Sequence, residues 1–228
     1  MVFHNSQGKN ISVVVYQPQG SGTFPALLVI HGSSGPISSF VGDYGQQLAN
    51  LGYVVFFVHY FDATGTEFAS KPAIQTYFHT WLRTIADGVS FAEEHPKVDS
   101  QRIGLLGVSL GGYLSLSLAS KDSRISAVTS LMGGMPEDFI SETQRMPPTL
   151  LLHGEADAMV PVSEAHKVQA LLKRLRTPHE VKIYPGQGHS FRGMAQMDAL
   201  TRTLRFLSRH LKKEDSVFGL KDLLLSFR

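Results

Sequence analysis

The sequence contains no cysteine, and this absence excludes a disulfide framework, a thiolate metal site and a cysteine nucleophile. It also lacks an excess of either charge, because 21 lysines and arginines are balanced by 19 aspartates and glutamates. The basic residues are scattered apart from a modest cluster at 173–176. Since a nucleic-acid interface needs a concentrated basic face, we expect no nucleic-acid partner.

Long hydrophobic runs are absent as well. The longest one, at 53–58, has the length of a strand and is far shorter than the roughly 20 apolar residues that span a membrane. The first nine residues lack the charged start and apolar core of a signal peptide. We therefore expect no membrane contact and a cytoplasmic location.

The 228 residues, 43% of them hydrophobic, suffice for one sizeable core and are too few to suggest two, so we interpret 1–228 as a single domain. Strand and helix patterns alternate along the chain, which predicts an α/β fold with a mostly parallel central sheet, helices on both faces and no separate lid domain. The predicted strands are 11–16, 26–30, 53–59, 103–106, 125–131, 149–152 and 180–184, and the predicted helices are 40–51, 72–94, 113–119, 163–175 and 192–210. The tail at 215–228 predicts a short amphipathic helix, which packs on its own domain in a monomer or forms the contact of a homodimer.

The run Gly-Val-Ser-Leu-Gly-Gly at 107–112 lies between a predicted buried strand and a predicted helix. A G-x-S-x-G string in that context is typical of a nucleophile elbow, a tight turn that holds a serine hydroxyl clear of the backbone. The glycines two positions before and after the serine leave room for the turn. We therefore predict that Ser109 is a nucleophile.

Two further loops at the same predicted sheet edge carry an acid and a base. Asp157 follows the strand at 149–152, and His189 follows the strand at 180–184. The chain order Ser, Asp, His is that of an α/β-hydrolase triad, in which the histidine is the general base and the acid orients it. Two alternatives stay open: Asp157 could instead cap the helix that follows, and Glu155 is close enough to be the acid.

Most of the other histidines have ordinary explanations. His31 and His153 follow strands and are expected to hold loops by hydrogen bonds, whereas His59 ends a buried strand beside the expected pocket and is a candidate substrate contact. The sequence contains no H-E-x-x-H or comparable ligand spacing, so we expect no metal site and no cofactor.

On these motifs the chain resembles an α/β-hydrolase, and it is most similar to the dienelactone hydrolase family. The resemblance covers nearly the whole chain and is carried by His31-Gly32 with Gly35, by the segments at 60–65, 107–112 and 157–161, and by Gly188-His189-Ser190-Phe191. It implies ester-bond hydrolysis. Typical members have cysteine where this chain has Ser109, so the lactone specificity of the family does not transfer with the resemblance.

The expected reaction proceeds through an acyl-enzyme on Ser109. Its oxyanion needs fixed donors, for which we predict the backbone N–H of Leu110 and that of Ser33, the latter favoured over Ser34. Further substrate contacts are expected from Ser34, His59, Met159 and Phe191.

The long segment at 72–94 carries Tyr77, Phe78 and Trp81, which we interpret as core residues, with a cover over the acyl pocket as the alternative. Asp62 and Glu67 precede it and either contact substrate or are solvated.

Without a lid the site should be open, which favours a small-molecule ester with a short acyl chain, lactones included. The alternatives are a thioester or peptide cleaved by the same triad, and a non-catalytic ligand-binding protein on a hydrolase scaffold.

Overall fold

The computed structural model describes residues 1–36 and 38–212, with backbone alone at 38–43. The predicted helix at 215–228 lies outside these residues. Strands are β1 (Val2–His4), β2 (Asn10–Tyr16), β3 (Phe24–Ile30), β4 (Val54–Val58), β5 (Val98–Val108), β6 (Ile125–Leu131), β7 (Thr149–Gly154) and β8 (His179–Tyr184). Helices are α1 (Ser38–Asn50), α2 (Lys71–Glu93), α3 (Leu110–Lys121), α4 (Glu137–Glu142), α5 (Ser163–Arg174) and α6 (Met194–Leu211), with a 3₁₀ turn at Tyr60–Ala63.

Within the described residues, the eight strands form one sheet in the order β1-β2-β4-β3-β5-β6-β7-β8. The strands β1 and β2 run antiparallel to their neighbours, and the remaining pairs are parallel. This arrangement confirms the predicted α/β fold with a mostly parallel sheet. Because the strands from β3 onward point the same way, their carboxyl ends share one edge, where ligands bind in sheets of this kind.

Successive residues of the central strands face opposite sides of the sheet, and both sides are apolar. In β3, Leu28 and Ile30 belong to the core under α2, α3 and α5, whereas Leu27 and Val29 belong to the core under α1 and α6. Fully burying each such side chain contributes about 1.5–3 kcal/mol. A near-continuous apolar strand is therefore stable only between two helical layers, which are both present.

Three elements differ from their sequence predictions. The edge strand β1 was not predicted, because three residues are too short for a periodic signal. The helix α4 lies between the predicted strands at 125–131 and 149–152, where no helix was predicted. The strand β5 begins at Val98 rather than 103, because its polar first half is held by backbone pairing of Val98 with Phe24 of β3.

Candidate active site

The turn from β5 into α3 holds Ser109 in a backbone conformation that most residues avoid. Its φ is 55° and its ψ is −118°, a conformation that costs about 1–3 kcal/mol and persists only where the surroundings impose it. The Ser109 N–H donates to the Leu131 carbonyl of β6 at 2.8 Å, and the Ser109 carbonyl accepts from the Gly112 N–H at 2.8 Å. The hydroxyl is thereby presented at the carboxyl edge of the sheet.

Close backbone approach explains the two glycines of the G-x-S-x-G run. A Cβ atom on Gly107 would collide with the Gly111 carbonyl, and one on Gly111 would collide with the Ile30 carbonyl at the end of β3. The elbow is therefore packed directly on its neighbouring strand. No larger side chain fits at either position without a shift of backbone.

Three side chains from different loops form a continuous hydrogen-bonded chain, called here the Ser–His–Asp chain. Ser109 Oγ lies 2.8 Å from His189 Nε2, and His189 Nδ1 lies 2.7 Å from Asp157 Oδ2. With the carboxylate accepting from Nδ1–H, the neutral imidazole has its lone pair on Nε2, facing the serine hydroxyl. The arrangement can move a proton from Ser109 to His189.

The Asp157 side chain is fully buried, and its other oxygen, Oδ1, accepts the N–H groups of Met159 and Val160, both at 2.9 Å. Burial alone would raise the pKa of this carboxyl. The hydrogen bonds from Val160, His189 and Met159 outweigh burial and hold the pKa below its usual value. The group is therefore a carboxylate at neutral pH.

The two alternatives for the acid do not match the geometry. Glu155 is exposed, and its Oε2 accepts the Gly186 N–H at 3.3 Å, away from the histidine. The N-cap residue of α5 is Val162, which has no side-chain cap bond, so Asp157 does not cap that helix. Among the acids considered, Asp157 is the one bonded to His189.

The histidines assigned to loops are bonded within them. His153 is buried, and its Nε2 donates to the Val160 carbonyl at 2.9 Å while lying 3.5 Å from Asp157 Oδ2. His31 Nδ1 donates to the Gly32 carbonyl at 2.9 Å. Burial lowers the pKa of His31 to about 4, despite the opposing effect of that bond, so the ring is neutral at pH 7.

The loop after β3 runs directly past the nucleophile. A Cβ atom built on Gly32 would lie 3.4 Å from Ser109 Cβ and 4.0 Å from its Oγ. The turn at 32–35 is closed by the Gly35 N–H and the Gly32 carbonyl at 3.2 Å, which leaves the N–H groups of Ser33 and Ser34 outside the turn bond. Leu110 is the first residue of α3, where an N–H has no acceptor within the helix.

A cavity of about 500 Å³ opens beside Ser109. Its walls come from the loop after β3, the loop before α2, the first half of α2, the elbow with the first turn of α3, the loop before α4 and the loop after β7. The residues that border it are Ser33, Phe68, Ala69, Ser70, Lys71, Ile74, Phe78, Ser109, Leu110, Tyr113, Pro136, Met159 and Val160. The walls are mainly apolar, and among the described residues that form them Lys71 is the charged one.

Of the four further substrate contacts that were predicted, Met159 borders this cavity and the other three lie elsewhere; the predicted oxyanion donors Leu110 and Ser33 border it as well. Ser34 is exposed and does not border the cavity. His59 borders a separate cavity of about 120 Å³ together with His31. Phe191 packs on Tyr184 with ring centroids 4.7 Å apart, because the chain after His189 turns toward the core under α6.

The aromatic residues of α2 divide between core and cavity. Trp81 is fully buried and donates its Nε1–H to Thr64 Oγ1 at 2.9 Å, as a core residue. Phe78 borders the cavity, and Tyr77 is 37% exposed. Of the loop acids, Asp62 accepts the Ser12 N–H at 2.8 Å and Glu67 is exposed, and neither borders the cavity.

Sequence reasoning missed Phe68 and Ile74 as cavity residues. Both follow β4, and the position of their loop at the carboxyl edge of the sheet is the signal that could have indicated them. In the described ranges, no group of three histidine, aspartate or glutamate side chains is placed to hold a metal ion. None of the helices described at 1–36 and 38–212 has the length and apolar character needed to cross a bilayer.

Comparisons with known proteins agree with the fold. The model of the dienelactone hydrolase family matches residues 11–210. A Synechocystis protein with the provisional name carboxymethylenebutenolidase is 24% identical over 82% of this chain and 83% of its own length. A Bradyrhizobium protein with the provisional name 2-oxo-3-(5-oxofuran-2-ylidene)propanoate lactonase is 23% identical, over 90% of this chain and 92% of its own.

Among solved structures, a dienelactone hydrolase-like promiscuous phosphotriesterase from metagenomic libraries superimposes with a TM-score of 0.80 at 18% identity. The match covers 92% of this chain and 96% of that one, and it confirms the α/β-hydrolase fold. The chain therefore belongs to the dienelactone hydrolase family, and it is a hydrolase of esters or related acyl bonds.

Proposed function

We propose that this protein is a serine hydrolase that cleaves small carboxylic esters, lactones included, through an acyl-enzyme on Ser109. The observation that carries the proposal is the Ser–His–Asp chain, with distances of 2.8 and 2.7 Å, at the wall of an apolar cavity. The family relatives with carboxymethylenebutenolidase and lactonase names support an ester bond as the target.

In the first half of the reaction, Ser109 Oγ attacks the ester carbonyl while His189 Nε2 accepts its proton. Asp157 remains ionised and stabilises the imidazolium that forms. The negative charge on the carbonyl oxygen is stabilised by the N–H groups of Leu110 and Ser33. Each such donor lowers the barrier by about 2.7–4 kcal/mol in related sites.

Collapse of the tetrahedral intermediate breaks the bond to the leaving oxygen, which takes the proton from His189. A water molecule then attacks the acyl-enzyme, gives its proton to His189 and adds to the carbonyl carbon. The second collapse returns the proton to Ser109 Oγ and releases the carboxylic acid. When the substrate is a lactone, the alcohol and the carboxylic acid remain joined in a single hydroxy-acid product.

The cavity limits the substrate by size and polarity. A volume of about 500 Å³ lies within the range of small-molecule sites, about 300–1,000 Å³. Its apolar walls, with Phe78, Ile74 and Met159 among them, favour an uncharged acyl or alcohol group. Met159 is 69% exposed, which indicates that the cavity opens to solvent beside this residue.

The test is a series of p-nitrophenyl esters of increasing acyl length, assayed beside a lactone on the wild type and on Ser109→Ala. We expect the variant to lose at least about 10³-fold in kcat on every substrate that the wild type cleaves. Ser141→Ala is the matched control, since that hydroxyl is exposed and bonds within α4, and it should match the wild type. Activity that survives intact in Ser109→Ala would sink the mechanism.

Covalent labelling separates an enzyme from a binding protein on the same scaffold. An organophosphonate should add one phosphonyl group to Ser109, which mass spectrometry of the digested protein would locate. Folded protein that stays unlabelled would contradict an activated serine. Matched ester, thioester and anilide substrates then rank the acyl bonds, and the ester should be cleaved fastest.

A further inference from the structure

Tyr60 makes two contacts with one residue at the start of the loop after β3. The tyrosine lies in the 3₁₀ turn after β4 and is fully buried. Its hydroxyl donates to the His31 carbonyl at 2.9 Å. Its ring also stacks on the His31 imidazole, with centroids 4.1 Å apart and planes 13° apart.

His31 in turn fixes the peptide plane that carries the Ser33 N–H. The Gly32 carbonyl accepts from His31 Nδ1 at 2.9 Å and from the Gly35 N–H at 3.2 Å. In a planar trans peptide the carbonyl and the next N–H point in opposite directions. The two bonds on the Gly32 oxygen therefore determine where the Ser33 N–H points, and the same peptide passes beside Ser109.

The loop after β3 is also bonded to, and packed against, the chain that follows β4. The Ser33 carbonyl accepts the Ala69 N–H at 2.8 Å, and Phe61 meets the His31 ring edge-on at 4.7 Å. Trp81 of α2 packs against Tyr60 at 5.8 Å and against Phe61 at 4.8 Å. The loop is thus attached to a buried aromatic cluster rather than left to solvent.

We propose that Tyr60 is a positioning residue for the oxyanion donor at Ser33, acting through the His31 carbonyl and ring. The inference rests on the proposed function, because it assigns the Ser33 N–H to the developing oxyanion. Preorganised donors stabilise a transition state because they need no reorientation when charge develops. Without the tyrosine hydroxyl, His31 keeps its stacked ring and loses the bond to its carbonyl.

The contribution should be independent of pH over the working range. Burial raises the pKa of Tyr60 well above its usual value, so the hydroxyl remains a protonated donor. The ratio of wild-type to Tyr60→Phe activity should therefore stay constant from about pH 6 to pH 9, a range that lies below even the ordinary tyrosine pKa of about 10.

The experiment compares Tyr60→Phe with Tyr53→Phe. Tyr53 is equally buried, but its hydroxyl has no hydrogen-bond partner in the part of the chain that the structure describes, so its removal takes away an oxygen without a described bond. We expect Tyr60→Phe to lower kcat by about 10-fold with KM within about 2-fold, since the interaction is made in the transition state. The control should keep the wild-type kcat.

A second measurement distinguishes positioning from packing. A short alkyl boronic acid, which adds to the serine as a tetrahedral anion, should bind Tyr60→Phe more weakly by the same factor as kcat. The carboxylic acid product should bind both variants alike. Equal boronate affinity in Tyr60→Phe and wild type, or a rise in KM with kcat unchanged, would show that Tyr60 only packs the loop.

If Tyr60→Phe does not fold, His31→Phe tests the next bond in the path from Tyr60 to the Ser33 N–H. This variant keeps a stacked ring and the carbonyl that Tyr60 binds, and it removes the bond to the Gly32 oxygen. It should show the same loss of kcat and of boronate affinity, and full retention of both would overturn the inference. If Ser109→Ala is inactive while Tyr60→Phe is unimpaired, this inference is wrong and the proposed function still stands. An active Ser109→Ala sinks the proposed function itself.

Discussion

At the scale of single residues, Asp157 offers the sharpest test of the Ser–His–Asp chain. Asparagine keeps the size of the side chain but presents an N–H₂ group or a carbonyl where the carboxylate accepted from His189 Nδ1. The histidine is then free to hold its proton on Nε2, toward Ser109, where it cannot act as a base. We expect Asp157→Asn to lower kcat by about 10³–10⁴-fold, as the corresponding change does in serine hydrolases.

Glu155→Gln is the control for that substitution, since Glu155 is an exposed acid two residues away. It should change kcat by less than about 2-fold, because a solvated charge outside the hydrogen-bonded chain contributes little. Steady-state kinetics on one p-nitrophenyl ester, with circular dichroism to verify folding, suffices. Equal losses in both variants would contradict the assignment of Asp157 as the partner of His189.

At the scale of elements, the elbow depends on how closely α3 approaches β3. A Cβ atom on Gly111 would collide with the carbonyls of Ile30 and His31; Ile30 is paired with β5, and the His31 carbonyl is bonded to Tyr60. We expect Gly111→Ala to lower the free energy of unfolding by about 2–3 kcal/mol, in the range of overpacked sites. Urea denaturation measures it.

The matched glycine, Gly88, lies inside α2. A Cβ atom on Gly88 would make ordinary contacts, with Val58 methyls at 3.4 and 3.5 Å and with Phe3 at 3.6 Å. Alanine there should raise the free energy of unfolding by about 0.5–1 kcal/mol through helix propensity. Destabilisation of the same size in Gly88→Ala and Gly111→Ala would mean that the elbow has no special packing requirement.

The same elements show what could be predicted from the sequence and what could not. Apolar periodicity located the parallel strands, and polar residues placed just after them located Ser109, Asp157 and His189, because strand ends share one edge. The polar half of β5 and the short α4 carry no such pattern, since backbone pairing and tertiary contacts define them.

The cavity walls were predicted least well. Met159 was expected there and borders the cavity, but Phe191 turns to the other core and Ser34 faces solvent. Adjacency in sequence to a site residue does not fix the direction of a side chain. Phe68 and Ile74 reach the cavity through the placement of a loop and a helix, which depends on contacts distant in sequence.

At the scale of the whole molecule, His31 makes folding sensitive to mild acid. Burial lowers its folded pKa to about 4 from the ordinary 6.5, although the bond to the Gly32 carbonyl opposes the shift. Nearby His59 lowers the value further, and Asp62 raises it. The unfolded chain therefore binds a proton at this residue between pH 6.5 and 4, and the folded chain does not.

His31 therefore does not reduce the free energy of unfolding above about pH 6.5, and it reduces that free energy increasingly as the pH drops toward 4. A shift of this size corresponds to about 3 kcal/mol in the free energy of unfolding. The buried or ion-paired Asp122, Asp157 and Asp198 have pKa values below the usual 3.8, so their contribution is lost at lower pH. There are thus two pH windows of lost stability: the first, from 6.5 to 4, is due to His31, and the second, below 3.8, is due to the aspartates. Urea unfolding measured at roughly half-unit steps of pH separates the two windows.

His31→Gln removes the titrating group from the first window. We expect its free energy of unfolding to be lower than that of the wild type at pH 7, because the ring stacked on Tyr60 is lost, and to change much less between pH 6.5 and 4. His166→Gln, at an exposed site, should keep the wild-type slope. If His31→Gln keeps that slope too, the acid sensitivity arises elsewhere, and the neutral, buried state of His31 beside Tyr60 would have to be abandoned.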